Sequence, residues 1–200
     1  MATERPIPIS PELRLPRVRG QRLRGQILTR AGQLASIDGL DQVSIGRLAA
    51  AMGMSKSGLY AYFTSKQDLQ LATIDCAWRI FDEHVLQPGD DGVEALLERW
   101  VSYYEREIFP GGCVFVTAGM EFANREGPVH DALAAAIDRQ VAALEQALAR
   151  EPGGAADAAQ LAFELHALLT AANHRFRISR DPAAFTHGRD AIRRRLPASP

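Results

Sequence analysis

Between Ser44 and Lys66 the chain reads Ser-Ile-Gly-Arg-Leu-Ala-Ala-Ala-Met-Gly-Met-Ser-Lys-Ser-Gly-Leu-Tyr-Ala-Tyr-Phe-Thr-Ser-Lys, and few architectures accommodate that order. Ile45, Leu48, Ala49 and Met52 recur at helical spacing and form one apolar stripe, with Ser44 placed to cap its start. Gly53 follows, and glycine takes positive φ without a Cβ penalty, so the first helix ends there. Two residues later Ser55 can cap a second helix that carries Leu59 and Phe63 inward. The spacing therefore predicts two short helices joined by a glycine corner, a helix-turn-helix over residues 44–63.

The outward side of the second helix is small and polar. Lys56, Ser57, Gly58, Tyr60 and Tyr62 leave room for close approach to a phosphate backbone and base edges, and Lys66 adds a charge beyond the helix. Tyr60 has an alternative reading as a core residue with only its hydroxyl exposed. Charge distribution points the same way. The first 66 residues hold ten basic and four acidic side chains, whereas the remainder holds 13 basic and 20 acidic, so a net charge of −1 hides a basic front and an acidic body. A basic segment gains energy beside a polyanion, which the acidic body does not. The plainer alternative is that these arginines only solubilise a helix and a tail.

An amphipathic helix from about Arg22 to Ile37 precedes the motif, with Leu23, Ile27, Ala31 and Leu34 on one stripe, closing near Gly39. The run Gly58-Leu59-Tyr60, Tyr62-Phe63, Ser65-Lys66 and Leu69 follows. Together, over Gln21 to Phe81, these resemble the TetR family of bacterial transcriptional regulators, whose signature reads LYxYFxSKxxL. The resemblance implies DNA contacts at Ser44 and Arg47 on the first helix of the motif and at Lys56, Ser57, Gly58 and Tyr60 on the recognition helix. Tyr62 and Lys66 match phosphate contacts. Gly46 departs from the family, where a longer polar side chain often reads a base, so specificity here rests more on Lys56 and Ser57.

The rest of the chain reads as helix throughout, and 46% apolar residues supply a substantial core. The expected fold is all-α: a three-helix DNA-binding module over 17–64, then a larger ligand-binding and dimerisation domain over 65–200. Residues 1–16, with Pro6, Pro8, Pro11 and Pro16, are expected as an extended or disordered arm. Helices are expected over Ser65 to Leu86, from Asp91 to the Pro110-Gly111-Gly112 stop, over Cys113 to Asn124, from Pro128 to the Pro152 break, over Ala155 to Ile178, and over Pro182 to Leu196. Ser65 and Asp68 imitate a capping box at the first of these. The helix over Ala155 to Ile178 is apolar on more than one side. Phe163, Ala167, Ala171 and, beside them, His174 form a second flank, suited to a partner subunit or to burial at the centre of a monomer.

Similarity to the family implies a homodimer on a palindromic double-stranded operator, with repression relieved by a small-molecule effector. Candidate pocket residues are Trp78, Phe81, Trp100, Tyr103, Phe115, Met120, Phe122, Phe163 and His166. A filled core would instead favour a constitutive DNA-binding regulator. Cys113 at a helix start offers a third reading, a cysteine-based redox sensor. Catalysis, a cofactor and a metal are not expected. The five histidines are dispersed, and His166 and His174 fall about 80° apart around one helix. No apolar run approaches the roughly 18 residues of a membrane span, no leader-like segment opens the chain, and Cys76 and Cys113 show no pairing pattern, so a cytoplasmic protein is expected.

Overall fold

The computed structural model describes residues 11–87, 91–151 and 157–196, with backbone alone over 11–19. Every regular element among them is helical: α1 (Pro11–Asp38), α2 (Ile45–Met52), α3 (Lys56–Tyr60), α4 (Lys66–Phe81), α5 (Gly92–Glu105), α6 (Val114–Phe122), α7 (Pro128–Arg150), α8 (Ala158–Ser179) and α9 (Ala183–Arg195). A π-helical turn, Asp82–Leu86, prolongs α4 to the predicted end.

α1 begins well before Arg22. Pro11 occupies its first position, where the missing N–H has no intrahelical acceptor in any case, and the helix continues through residues 12–16 despite Pro16, where an extended arm was expected. The remainder of that arm, residues 1–10, lies outside the described residues. α1, α2 and α3 close over Ile27, Leu28, Ala31, Leu48, Leu59 and Phe63, each at most 1% exposed. α4 then packs along α1 and runs into the second domain, where it meets α7.

α5 stops at Glu105, short of the predicted glycine stop, because Glu107 turns to φ 47° and starts a loop. That loop lies across α1. Gly111 donates its N–H to Ser36 Oγ at 2.9 Å, and a Cβ there would fall 1.8 Å from the Ser36 carbonyl oxygen, so only glycine fits. Arg177 of α8 donates to the Pro110 carbonyl at 2.6 Å and holds the same loop from behind. α6 also packs on α1, α7 crosses α6 and α8, and α8 pairs with α9. No helix of the described residues is long and apolar enough to cross a membrane.

Candidate nucleic-acid interface

Local hydrogen bonds fix the predicted motif. Ser44 Oγ accepts the Arg47 N–H at 3.3 Å and caps α2. Gly53 stands at φ 63°, and the N–H groups of Gly53 and Met54 return to Ala50 and Ala49, closing the helix with a left-handed residue. Ser55 Oγ accepts the Gly58 N–H at 3.0 Å and starts α3. α3 is shorter than expected, ending at Tyr60. Phe63 still bonds back to Leu59 through a turn, because Thr64 and Ser65 already belong to the next cap. There Ser65 Oγ accepts the Asp68 N–H at 3.0 Å, while Asp68 accepts the N–H and hydroxyl of Thr64 at 2.8 and 3.0 Å.

The eight residues expected to meet DNA are all at least partly exposed. Arg47, Lys56, Ser57, Tyr60 and Lys66 are exposed, and Ser44, Gly58 and Tyr62 are half-buried. Tyr60 is 57% exposed, which rules out the core reading. Lys56 leans across α2, its Cε 3.3 Å from where a Cβ on Gly46 would stand, so the glycine makes room for the lysine. Arg47 is paired with Asp38 at 2.7 Å and Lys66 with Asp41 at 2.7 Å. Asp41 also faces Arg125 at 3.3 Å, and Lys66 above all holds its carboxyl below the ordinary value. Neither aspartate stood out in the sequence. The signal was there in Asp38, an acid closing a helix at its negative end.

In the second domain, five of the other eight predicted pocket residues gather around Phe81. Trp100, Tyr103 and Phe115 meet it edge-on at 4.8, 5.6 and 6.3 Å, Trp78 lies at 5.7 Å, and His166 stacks edge-on against Trp100 at 5.9 Å. Met120 and Phe163 do not join them. They lie on the outward faces of α6 and α8, 79% and 64% exposed. Phe122 is buried separately beneath the Arg125 guanidinium.

Within the aromatic cluster runs a polar thread that hydrophobic patterning missed. Trp100 Nε1–H donates to the Tyr104 hydroxyl at 2.8 Å, and Gln140 Oε1 lies 3.4 Å from His166 Nε2. Tyr103 Oη, Gln140 Nε2 and Thr170 Oγ1 are buried without a hydrogen-bond partner. Gln140 was visible as the polar residue on the inward stripe of α7, between Ala136 and Leu144. Burial pushes the Cys113 and Cys76 thiols up, opposite to what a reactive thiolate requires, so the redox reading gains nothing. Among the described residues no three His, Cys, Asp or Glu side chains gather around a possible metal position.

The predicted partner-facing flank of α8 is open. Phe163, Ala167, Ala171, His174 and Ile178 form one exposed stripe, beside a cleft of about 530 Å3 shared with Ala191, Arg194 and Arg195 of α9.

Comparison with known proteins agrees with this architecture. Residues 27–73 match the family described as bacterial regulatory proteins, tetR family, and residues 89–192 match the tetracyclin repressor-like C-terminal domain. Among solved structures, a TetR transcriptional regulator from Chloroflexus aurantiacus J-10-FL is 26% identical with a TM-score of 0.76, over 87% of this chain and 93% of that one. A TetR-family regulator from Streptomyces coelicolor, SCO4454, is 26% identical with a TM-score of 0.71, over 94% and 96%. The fold is also that of AibR, solved in complex with isovaleryl coenzyme A and operator DNA, at 22% identity and a TM-score of 0.67, over 84% and 95%. No curated protein matches by sequence. With its motif and both of its domains accounted for, the chain belongs to the TetR family of transcriptional regulators and is a DNA-binding regulator.

Proposed function

We propose that the protein is a homodimeric repressor that reads a palindromic operator and is released from it by a small molecule. One observation carries the reading: Lys56, Ser57 and Tyr60 stand exposed on a helix whose position is fixed by two serine caps and a buried Leu59. Such a face is built to dock, with Lys56 and Ser57 at base edges and Ser44, Arg47, Gly58, Tyr60, Tyr62 and Lys66 on phosphates and neighbouring groups. Two copies related by a two-fold axis would place their recognition helices about 34–36 Å apart, one turn of the duplex. The stripe of Phe163, Ala167, Ala171 and His174 supports the dimer, because an apolar face of that length is out of place against water.

For the effector, the cluster around Phe81 offers an aromatic wall, and Tyr103 Oη, Gln140 Nε2 and Thr170 Oγ1 offer unused hydrogen-bonding capacity. A flat, largely apolar molecule carrying one or two polar groups fits that combination. Because α4 belongs to both the cluster and the DNA-binding module, displacing Trp78 and Phe81 would move the recognition helices apart. Affinity falls to the extent that the molecule prefers the displaced form. Dense packing around Phe81, Trp100 and Phe115 supports the second reading, a constitutive regulator without an effector.

Selection of duplexes from a random library by the purified chain tests the proposal. A palindromic winner is expected, bound less tightly as salt rises. No enrichment would refute operator recognition.

A further inference from the structure

The cations on the DNA-facing side of the motif are held in two different ways. Lys56 makes no ion pair among the described residues. Arg47 Nη2 donates to Asp38 Oδ2 at 2.7 Å, and Lys66 Nζ donates to Asp41 Oδ1 at 2.7 Å. Both acids come from the junction of α1 and α2, and helix formation explains neither. Asp38 closes α1, where a negative charge opposes the helix dipole. The backbone N–H of Asp41 is fixed by the Glu121 carboxylate, at 3.2 Å to each oxygen, so the loop keeps that tie when the side chain loses its charge.

A carboxylate oxygen at 2.7 Å from a lysine or arginine presents what a phosphate oxygen presents to the same cation: negative charge and an acceptor at charge-assisted hydrogen-bond distance. We propose that Asp38 and Asp41 are positioning residues for DNA binding that occupy, in the free protein, the places operator phosphates take on docking. The inference rests on the operator-binding reading above and adds to it. Duplex binding is then an exchange. Each phosphate displaces an aspartate, so the contact contributes only the difference between two ion pairs. Salt weakens the internal pair as well as the external one, and the response of the operator complex to salt is correspondingly blunted. Lys56, with no acid to leave, contributes its whole charge, consistent with a role at the bases rather than in the phosphate exchange. Asp41 carries the further feature that Arg125, in the turn just after α6, shares its carboxylate at 3.3 Å. A displacement of α6 would therefore alter how firmly Asp41 retains Lys66.

The test is Asp41→Asn and Asp38→Asn in the full chain, titrated against the selected operator and a scrambled duplex at about 50 and 200 mM salt. Each variant should bind roughly two- to fivefold tighter per subunit at the lower salt, the range of an exposed ion pair. The slope of log affinity against log salt should steepen by up to about 0.9 per freed cation. The scrambled duplex should gain equally, since phosphates carry no sequence. The gain should vanish in Asp41→Asn/Lys66→Ala and in Asp38→Asn/Arg47→Ala. Weaker binding by both single variants, or a gain that survives removal of the cation, overturns the proposal. Asp41→Asn keeps the backbone bond to Glu121 and Asp38→Asn relieves a helix end, so the two sites test the exchange independently of folding. A wild-type chain that holds no duplex sinks the operator reading and this inference with it, whereas wild-type binding with no gain in either variant sinks this inference alone.

Discussion

Single residues decide how this fold meets DNA and how firmly its two parts are joined. Lys66→Ala and Tyr62→Phe should lower operator affinity and flatten its salt dependence while leaving helicity and dimerisation intact, and unchanged binding by both would remove them from the interface. Gly111 is where the second domain touches the backbone of α1. Gly111→Ala puts a Cβ 1.8 Å from the Ser36 carbonyl oxygen. The strain should cost about 1–3 kcal/mol, the usual scale of overpacking, read as a lower Tm. His166 bears on pH. Burial pushes its pKa below the ordinary 6.5, so above that value it is neutral whether folded or not. As pH falls through the window below 6.5, the unfolded chain takes a proton that the folded chain resists, and stability is lost. Tm should fall from pH 7 towards pH 5, and His166→Gln should make that fall shallower; an unchanged slope would assign the acid response elsewhere.

At the scale of elements, most of what matters was legible because it is local. Caps at Ser44, Ser55 and Ser65 and the left-handed Gly53 are decided by hydrogen bonds within a few residues, and the sequence carried them in full. α1 reaches back to Pro11, whose place at the first helical residue removes no hydrogen bond, whereas Pro16 lies inside the helix, where local rules read a break. α5 ends early for a reason no local pattern contains, namely that the loop after it must reach across to Ser36 on α1. The candidate pocket shows the same division. Helical spacing could pick out aromatic residues, but only packing decides that Phe81 faces the cluster while Met120 and Phe163 face water. On α8, Phe163, Ala167, Ala171 and His174 do share the exposed stripe the spacing implied, with Ile178 extending it. Ala167→Glu at the middle of that stripe should leave helicity unchanged and shift the sedimentation of the chain from dimer to monomer. A dimer that survives both it and Ala171→Glu would place the interface elsewhere.

Over the whole molecule, α1 is the element on which the two parts meet. It carries the motif at its end, and α4, α6 and the loop after α5 all rest on it. Long-range contacts of this kind, such as Arg177 to Pro110 or Glu121 to Asp41, link residues 67 and 80 positions apart and leave no trace in spacing. The ion cluster of Arg189 with Glu98 and Glu105 likewise ties α9 to α5 across the domain. On the proposed function, two copies of the chain present their α3 helices to successive major grooves of one operator. Hydroxyl-radical footprinting of the selected duplex, with the protein-to-duplex ratio measured on the same complex, tests it most directly. Two equal protected patches on one face, centred about one helical turn apart, with two chains per duplex, is the predicted result. A single patch with one chain bound would contradict it.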